Sequence, residues 1–223
     1  MVSDILTQDP ATYLPADLDP TLIAGHASQL AVLAHQLNSS SSAALELLFT
    51  GAPTFSLINL KTLSRGSIHL SPDDDGVSTE PVADYRALSN PIDIAVNRAL
   101  LTFIRRFASS EGMVDALAPE LVSPLIDETS DEFEAWLRGT LNPSVAHPSG
   151  TCALGPRELG GVVGPELRVH GTRGLRVADC SVMTLVPGTH TSSTAYAIGE
   201  KVCFRLLGHF FEGAWTNRSR RRI

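Results

Sequence analysis

The sequence predicts an α+β fold, on two patterns and one change of character along the chain. Apolar residues recur at helical spacing in three stretches, short strand-like runs lie between the first two, and the chain turns glycine-rich after Asn142. With 223 residues, 43% of them hydrophobic and 18% charged, it has the composition of a chain that folds around one sizeable core or two packed lobes.

The first helix is predicted over residues 20–37. Asp19 supplies a capping carboxylate and Pro20 the first helical position, after which Leu22, Ile23, Ala27, Leu30, Leu33 and Leu37 repeat at helical intervals. Asn38 to Ser42 is a polar stop. Phe55, Leu57 and Asn59, then Ser67 to Leu70, read as short strands. Asp73-Asp74-Asp75-Gly76 is a solvated turn rather than a calcium loop, which needs alternating ligands and a distant glutamate. A second helix starts at Asn90-Pro91 and carries Ile92, Ala95, Val96, Leu100, Phe103 and Phe107 on one face, with Arg105 and Arg106 at its solvated edge. A third opens with Thr129 and Glu132 in capping-box relation, presents Phe133, Trp136, Leu137 and Leu141 to a core, and ends at Pro143. Beyond it the expectation is a strand at Leu175–Ala178 and a closing helix from near Thr191 that carries Ala195, Ile198, Val202 and Leu206 at helical intervals.

Charge narrows the function classes. A net charge of −7 disfavours general binding to nucleic acid or to a membrane surface, since both need a positive face. The one basic run, Arg218 to Arg222, reads as a solvated tail. Cys152, Cys180 and Cys203 make neither a disulfide framework nor a zinc spacing, so no metal is expected and a reducing, cytoplasmic setting is. The amino terminus lacks the basic start and apolar core of a signal peptide, no stretch is long enough to span a bilayer, and the sequons at Asn38 and Asn217 read as chance matches.

The chemistry lies in the last third. His147-Pro148-Ser149-Gly150-Thr151-Cys152-Ala153-Leu154-Gly155-Pro156, Gly160-Gly161-Val162-Val163, Leu167-Arg168-Val169-His170-Gly171, the run Gly174 to Met183, Thr189-His190-Thr191 and Glu200-Lys201 follow one another in order. Together these blocks resemble the carboxy-terminal signature of the glucose-methanol-choline (GMC) flavin oxidoreductases. Upstream, Leu63 to Ser67, Asp84-Tyr85-Arg86 and Asn90 to Asp93 are similar to substrate-domain segments of fungal members, so the likeness covers nearly the whole chain.

The resemblance implies a layout and a site. A helical segment over residues 1–43 would lead into a substrate-binding lobe over 44–141, built as an antiparallel sheet covered by the two helices. The carboxy-terminal remnant of a flavin domain would follow over 142–207, with a tail over 208–223. His147 and His190 would be the active-site histidines, facing a flavin ring and taking the hydroxyl proton of an alcohol, a task suited to an imidazole. Asp179 would sit beside the cofactor's ribityl and phosphate groups, if FAD were supplied with a partner chain. His26, His35, His69, His170 and His209 read as satisfied core or surface residues, and Cys152 as packing behind the loop.

One departure from the family carries weight. No two glycines stand at the Gly-x-Gly spacing that opens a dinucleotide fingerprint, so the chain alone is expected to hold no cofactor. Three classes of function follow: a flavin-free enzyme catalysing isomerisation, dehydration or cyclisation of a small apolar metabolite; an alcohol oxidoreductase subunit or fragment completed by a separate FAD-binding chain; or a binding remnant without catalysis. Self-association as a homodimer is expected too, because half of a flavin domain leaves apolar faces uncovered.

Overall fold

The computed structural model describes residues 1–49, 55–71, 80–118, 126–127 and 129–204. The expected turn at Asp73–Gly76, Leu206, His209 and the tail lie outside the described residues. The elements are helix α1 (Val2–Thr7), α2 (Pro20–Leu37), strands β1 (Leu45–Phe49), β2 (Phe55–Asn59), β3 (Ser67–His69) and β4 (Val82–Asp84), then α3 (Pro91–Ala108), α4 (Glu111–Leu117), α5 (Asp131–Thr140) and a closing helix α6 over 191–204. This is the α+β class that the periodicities predict. Among the described residues no helix is long and apolar enough to cross a membrane.

Helix α2 starts as its sequence dictates: the Asp19 carboxylate accepts the Thr21 backbone N–H at 2.8 Å, ahead of Pro20. Its buried stripe is His26, Leu30, Leu33 and Ala34, and Leu22 is left 43% exposed. Ile5 of α1 and Leu63 pack against Leu30 and Leu33. Gly25 has a positional reason, since a Cβ there would stand 2.2 Å from the carbonyl oxygen of Leu159. That close approach lets α2 lie against the 3₁₀ turn Arg157–Leu159 of the glycine-rich segment.

Helix α3 begins where Asn90-Pro91 predicts, with the Asn90 carboxamide oxygen accepting the Ile92 N–H at 3.0 Å. Its buried face, however, is Asp93, Ile94, Val96, Asn97, Leu100 and Ile104, rotated from the predicted stripe, and Phe103 is 55% exposed. Two polar residues in the core-facing row displaced the apolar pattern. Arg106 is exposed as expected, whereas half-buried Arg105 donates to the Ile126 carbonyl at 3.3 Å.

Helix α5 is capped by Ser130, whose hydroxyl accepts the Phe133 N–H at 3.4 Å; the Thr129–Glu132 capping box does not form, because Thr129 donates to the Asp127 carboxylate at 2.7 Å. Phe133 and Leu137 pack with Leu88 and Ile94, so α5 covers α3 rather than the strands. The Arg98 guanidinium lies over the Phe133 ring, 5.3 Å from its centroid.

Among the described residues the expected antiparallel pairing is present, but as two two-stranded ladders and not one sheet. Leu45 faces Asn59 at one end of β1–β2 and Phe49 faces Phe55 at the other, while Ser67 faces Asp84 in β3–β4. The strand expected at Leu175–Ala178 is reduced to one bridge, between Arg176 and Arg168, across a turn that holds the left-handed Gly171 and Gly174. Residues 150–182 form a stack of turns closed over Val163, Leu167 and Val182, against which Ile198 and Val202 of α6 pack.

One buried carboxylate ties these parts together. Asp93, 1% exposed, accepts the backbone N–H groups of Leu63 at 2.7 Å and Ser64 at 2.8 Å. Next along that loop, Arg65 is deprived of water, which disfavours its charge, and Asp93 supports the charge. Asp93→Asn would leave one of the two N–H groups facing a donor and remove the countercharge. It is expected to lower the unfolding free energy by about 3 kcal/mol, checked by urea denaturation. A variant as stable as the parent would show that the loop is held otherwise.

Candidate functional site

His147 and His190 reach one another from distant parts of the chain. His147 follows a tight turn after α5, in which its backbone N–H donates to the Ser144 carbonyl at 2.9 Å, and Pro148 restricts it from the other side. His190 stands immediately before α6. The two rings meet edge to face, with centroids 4.5 Å apart and planes at 70°. Both are half-buried on the wall of one cleft of about 700 Å³, within the range of a small-molecule pocket. Its apolar wall includes Leu22, Leu33, Leu57, Val145, Leu185 and Val186.

A third group completes the arrangement. Glu46, on β1, places its Oε1 3.6 Å from His190 Nδ1, and its Oε2 is buried without a hydrogen-bond partner. The sequence reading missed Glu46, as it missed β1. The signal available was weak: a single carboxylate in the apolar run Leu45-Glu46-Leu47-Leu48. A carboxylate behind one imidazole orients its ring and stabilises it when it carries a proton. The edge-to-face pair can therefore divide its labour, one ring taking a proton while the other holds the oxygen it leaves.

The sequence pattern of GMC oxidoreductases matches residues 62–199. The chain belongs to the GMC oxidoreductase family. It is 32% identical over 209 residues to the dehydrogenase xptC of Emericella nidulans, covering 93% of this chain and 33% of that protein. It is 36% identical over 147 residues to a pyranose dehydrogenase of Agaricus campestris, covering 66% and 24%. Among solved structures, a fungal aryl-alcohol oxidase superposes with a TM-score of 0.82 at 37% identity, over 94% of this chain and 35% of that one. An FAD-dependent oxidoreductase from Chaetomium thermophilum superposes with the same score at 28% identity, over 94% and 36%. The chain thus spans about a quarter to a third of the length of the GMC proteins it matches.

The GMC relationship raises the question of which of these residues could meet FAD, and Asp179 does not stand with the histidines. Asp179 is exposed and lies outside the cleft lining, and its carboxylate is engaged by the Ser181 N–H at 2.8 Å as the cap of the turn Cys180–Val182. Among the described residues the ladders are antiparallel pairs, with no strand–turn–helix unit of the kind that receives a pyrophosphate.

The other histidines divide. His35 is exposed, His69 is exposed at the cleft, and His170 has a partner, its Nε2 lying 2.9 Å from the Gly155 carbonyl. His26 corrects the expectation of a satisfied residue: it is 5% exposed, lines the cleft, and its Nδ1 has no partner. Cys152 is half-buried, with its backbone N–H donating to the Ser181 carbonyl at 2.9 Å.

Burial, and then the charge of Arg65, hold His26 down to about 4, against a hydrogen bond with Gln29 that works the other way. The folded state therefore favours the neutral ring. The stability this carries is complete above the ordinary imidazole value of 6.5 and is lost as pH falls through about 4. Unfolding free energies of the parent and of His26→Gln should diverge by up to roughly 3 kcal/mol across that window, the parent losing more on acidification. Parallel pH profiles would contradict the assignment.

Proposed function

We propose that this chain binds a small, mostly apolar molecule bearing a hydroxyl or carbonyl group and moves a proton at that group with His147 and His190, Glu46 orienting His190. The observation that supports this most is the meeting of two imidazoles and a carboxylate, from three separate segments, on the wall of an apolar cleft. One neutral imidazole accepts the hydroxyl proton through a ring nitrogen. The other, protonated at the start, donates a hydrogen bond to the same oxygen and gives its proton to a second atom of the substrate, and passage of the first proton from ring to ring restores the pair. Such groups contribute roughly 10²- to 10⁴-fold, and a fitted cleft adds to this by holding a reactive conformer. Isomerisation and cyclisation need only these two proton transfers; in a dehydration the protonated ring gives its proton to the leaving hydroxyl and the neutral ring takes one from carbon.

A second reading is favoured by the dehydrogenases and oxidases among the relatives. In it the same histidines serve alcohol oxidation, and FAD held by polypeptide outside this chain supplies the hydride acceptor. Both readings expect the chain alone to retain no flavin absorbance after incubation with FAD and desalting, and stoichiometric retention would overturn the first and move the cofactor of the second onto this chain. Turnover separates them: conversion of a small alcohol or carbonyl compound by the chain alone, with no electron acceptor present, supports the first, whereas benzylic alcohol oxidation coupled to a dye only after an FAD-binding polypeptide is added supports the second.

Replacing either histidine by alanine should lower the rate about 10²-fold or more on whichever small alcohol or carbonyl compound the parent converts, with the fold intact by circular dichroism. His190→Asn should be milder, because a carboxamide still donates a hydrogen bond to the oxygen. Two alanine variants as active as the parent would overturn the site.

We also propose self-association. Tyr196 and Phe204 on α6 are 79% and 81% exposed and Leu175 is 54% exposed, which leaves apolar surface for a second copy to cover. Light scattering at micromolar concentration should give the mass of a homodimer, and a clean monomer would refute it.

A further inference from the structure

The turn that presents His147 is built against the preferences of its own residues. Val145 and Ala146 both have left-handed backbone, at φ 51° and 59°. A β-branched residue in that region is a genuine outlier, because its side chain crowds the backbone. Nearby, the left-handed positions 150, 160, 171 and 174 are all glycine, which adopts this geometry without strain. Leu167 is the other left-handed non-glycine residue in this part of the chain, and it is 2% exposed, so core packing holds it in place. No such packing holds Val145, which is 36% exposed at the cleft, or Ala146, which is exposed as well.

What holds the turn is hydrogen bonding from one side chain. The Asn142 carboxamide Oδ1 accepts the backbone N–H groups of Val145 at 3.0 Å and Ser144 at 3.3 Å. Those bonds fix the start of the turn, and the bond from the His147 N–H to the Ser144 carbonyl closes it at 2.9 Å. Pro148 then limits how His147 can leave. The ring of His147 is thus oriented from behind by a strained pair whose geometry depends on Asn142.

We propose that Asn142 is the positioning residue for His147: it keeps the strained turn closed, and without it the turn relaxes and carries His147 away from His190. The inference rests on the reading of the histidine pair as the working site, but it concerns the geometry of the pair and is tested without turnover. Strain held at a site by its surroundings is a recurrent way of fixing a reacting group.

The test measures the nuclear Overhauser effect between the ring protons of His147 and His190, together with the melting temperature, in five proteins. The parent should show the ring–ring cross-peak. Asn142→Ala should lose it, and Asn142→Asp, whose carboxylate accepts the same two N–H groups, should keep it. The double variant Val145→Gly with Ala146→Gly should keep the cross-peak and melt at the parent temperature or up to about 4 °C higher, since relief of strain outweighs the added freedom of the unfolded chain. Combined with Asn142→Ala, these glycines should restore the cross-peak, because no strain remains to drive the turn open.

The proposal is overturned if Asn142→Ala keeps the cross-peak, or if the glycine variants melt several degrees below the parent, which would mean that the turn stores no strain. Should Asn142→Ala fail to fold, the glycine pair and Asn142→Asp still decide the question through the same two measurements. The proposed function fails separately, on alanine variants of His147 and His190 that remain active.

Discussion

The carboxylate of Asp93 is the constraint on which the rest of the structure depends. It is buried, and it accepts two backbone N–H groups of the loop that leaves β2, thereby pinning Leu63 into the core beside α1 and α2. One residue on, Arg65 reaches across to Gln29 of α2 at 3.1 Å and to the carbonyls of Thr62 and Ser64. At the start of α3, Asn90 donates to Gln8 at 3.0 Å, and its own N–H donates to Ser64. Four segments remote in sequence are therefore fastened at one place by polar groups that would each be costly to leave unpaired.

That fastening determines where the cleft lies. Helix α2 is held by the loop on one side and by its glycine contact with Leu159 on the other, so it bridges the strand-bearing region and the stacked turns. The cleft opens between them. Glu46 comes to it from the ladder, His147 from the end of α5 and His190 from the start of α6. Because the three arrive on separate elements, their relative geometry is a property of the packed core and not of any local motif. His26 and Arg65, which line the same cleft, are the cost of passing a polar network beneath an apolar wall.

Much of this was legible in the residues, and the failures have physical causes. Asp19-Pro20 and Asn90-Pro91 announced their helices because capping is a local interaction between neighbours. His147 and His190 were singled out through blocks of ordered motif, which carry a backbone path as well as side chains, and the fold brings the two rings together. Glu46 was not, because its role arises only when β1 is laid beside the loop before α6. The buried face of α3 was misread because Asp93 and Asn97 occupy core positions that apolar periodicity counts as surface. The run Leu175–Ala178 pairs only through the bridge of Arg176 to Arg168 across the turn that holds Gly171 and Gly174, so β-forming composition alone overstated its length. Short helices such as α1 and α4 have too few turns to show a period.

The central claim is that two histidines of a GMC-family chain share one small-molecule cleft and act on the same atom of a substrate. The most direct test is to follow the imidazole resonances of His147 and His190 by NMR during titration with benzyl alcohol, a small apolar alcohol. The account predicts that both rings shift together along one saturation curve, with Glu46 and Val145 responding and His35, which is exposed and outside the cleft lining, silent. Shifts confined to one of the two rings, or to residues outside the cleft, would contradict it.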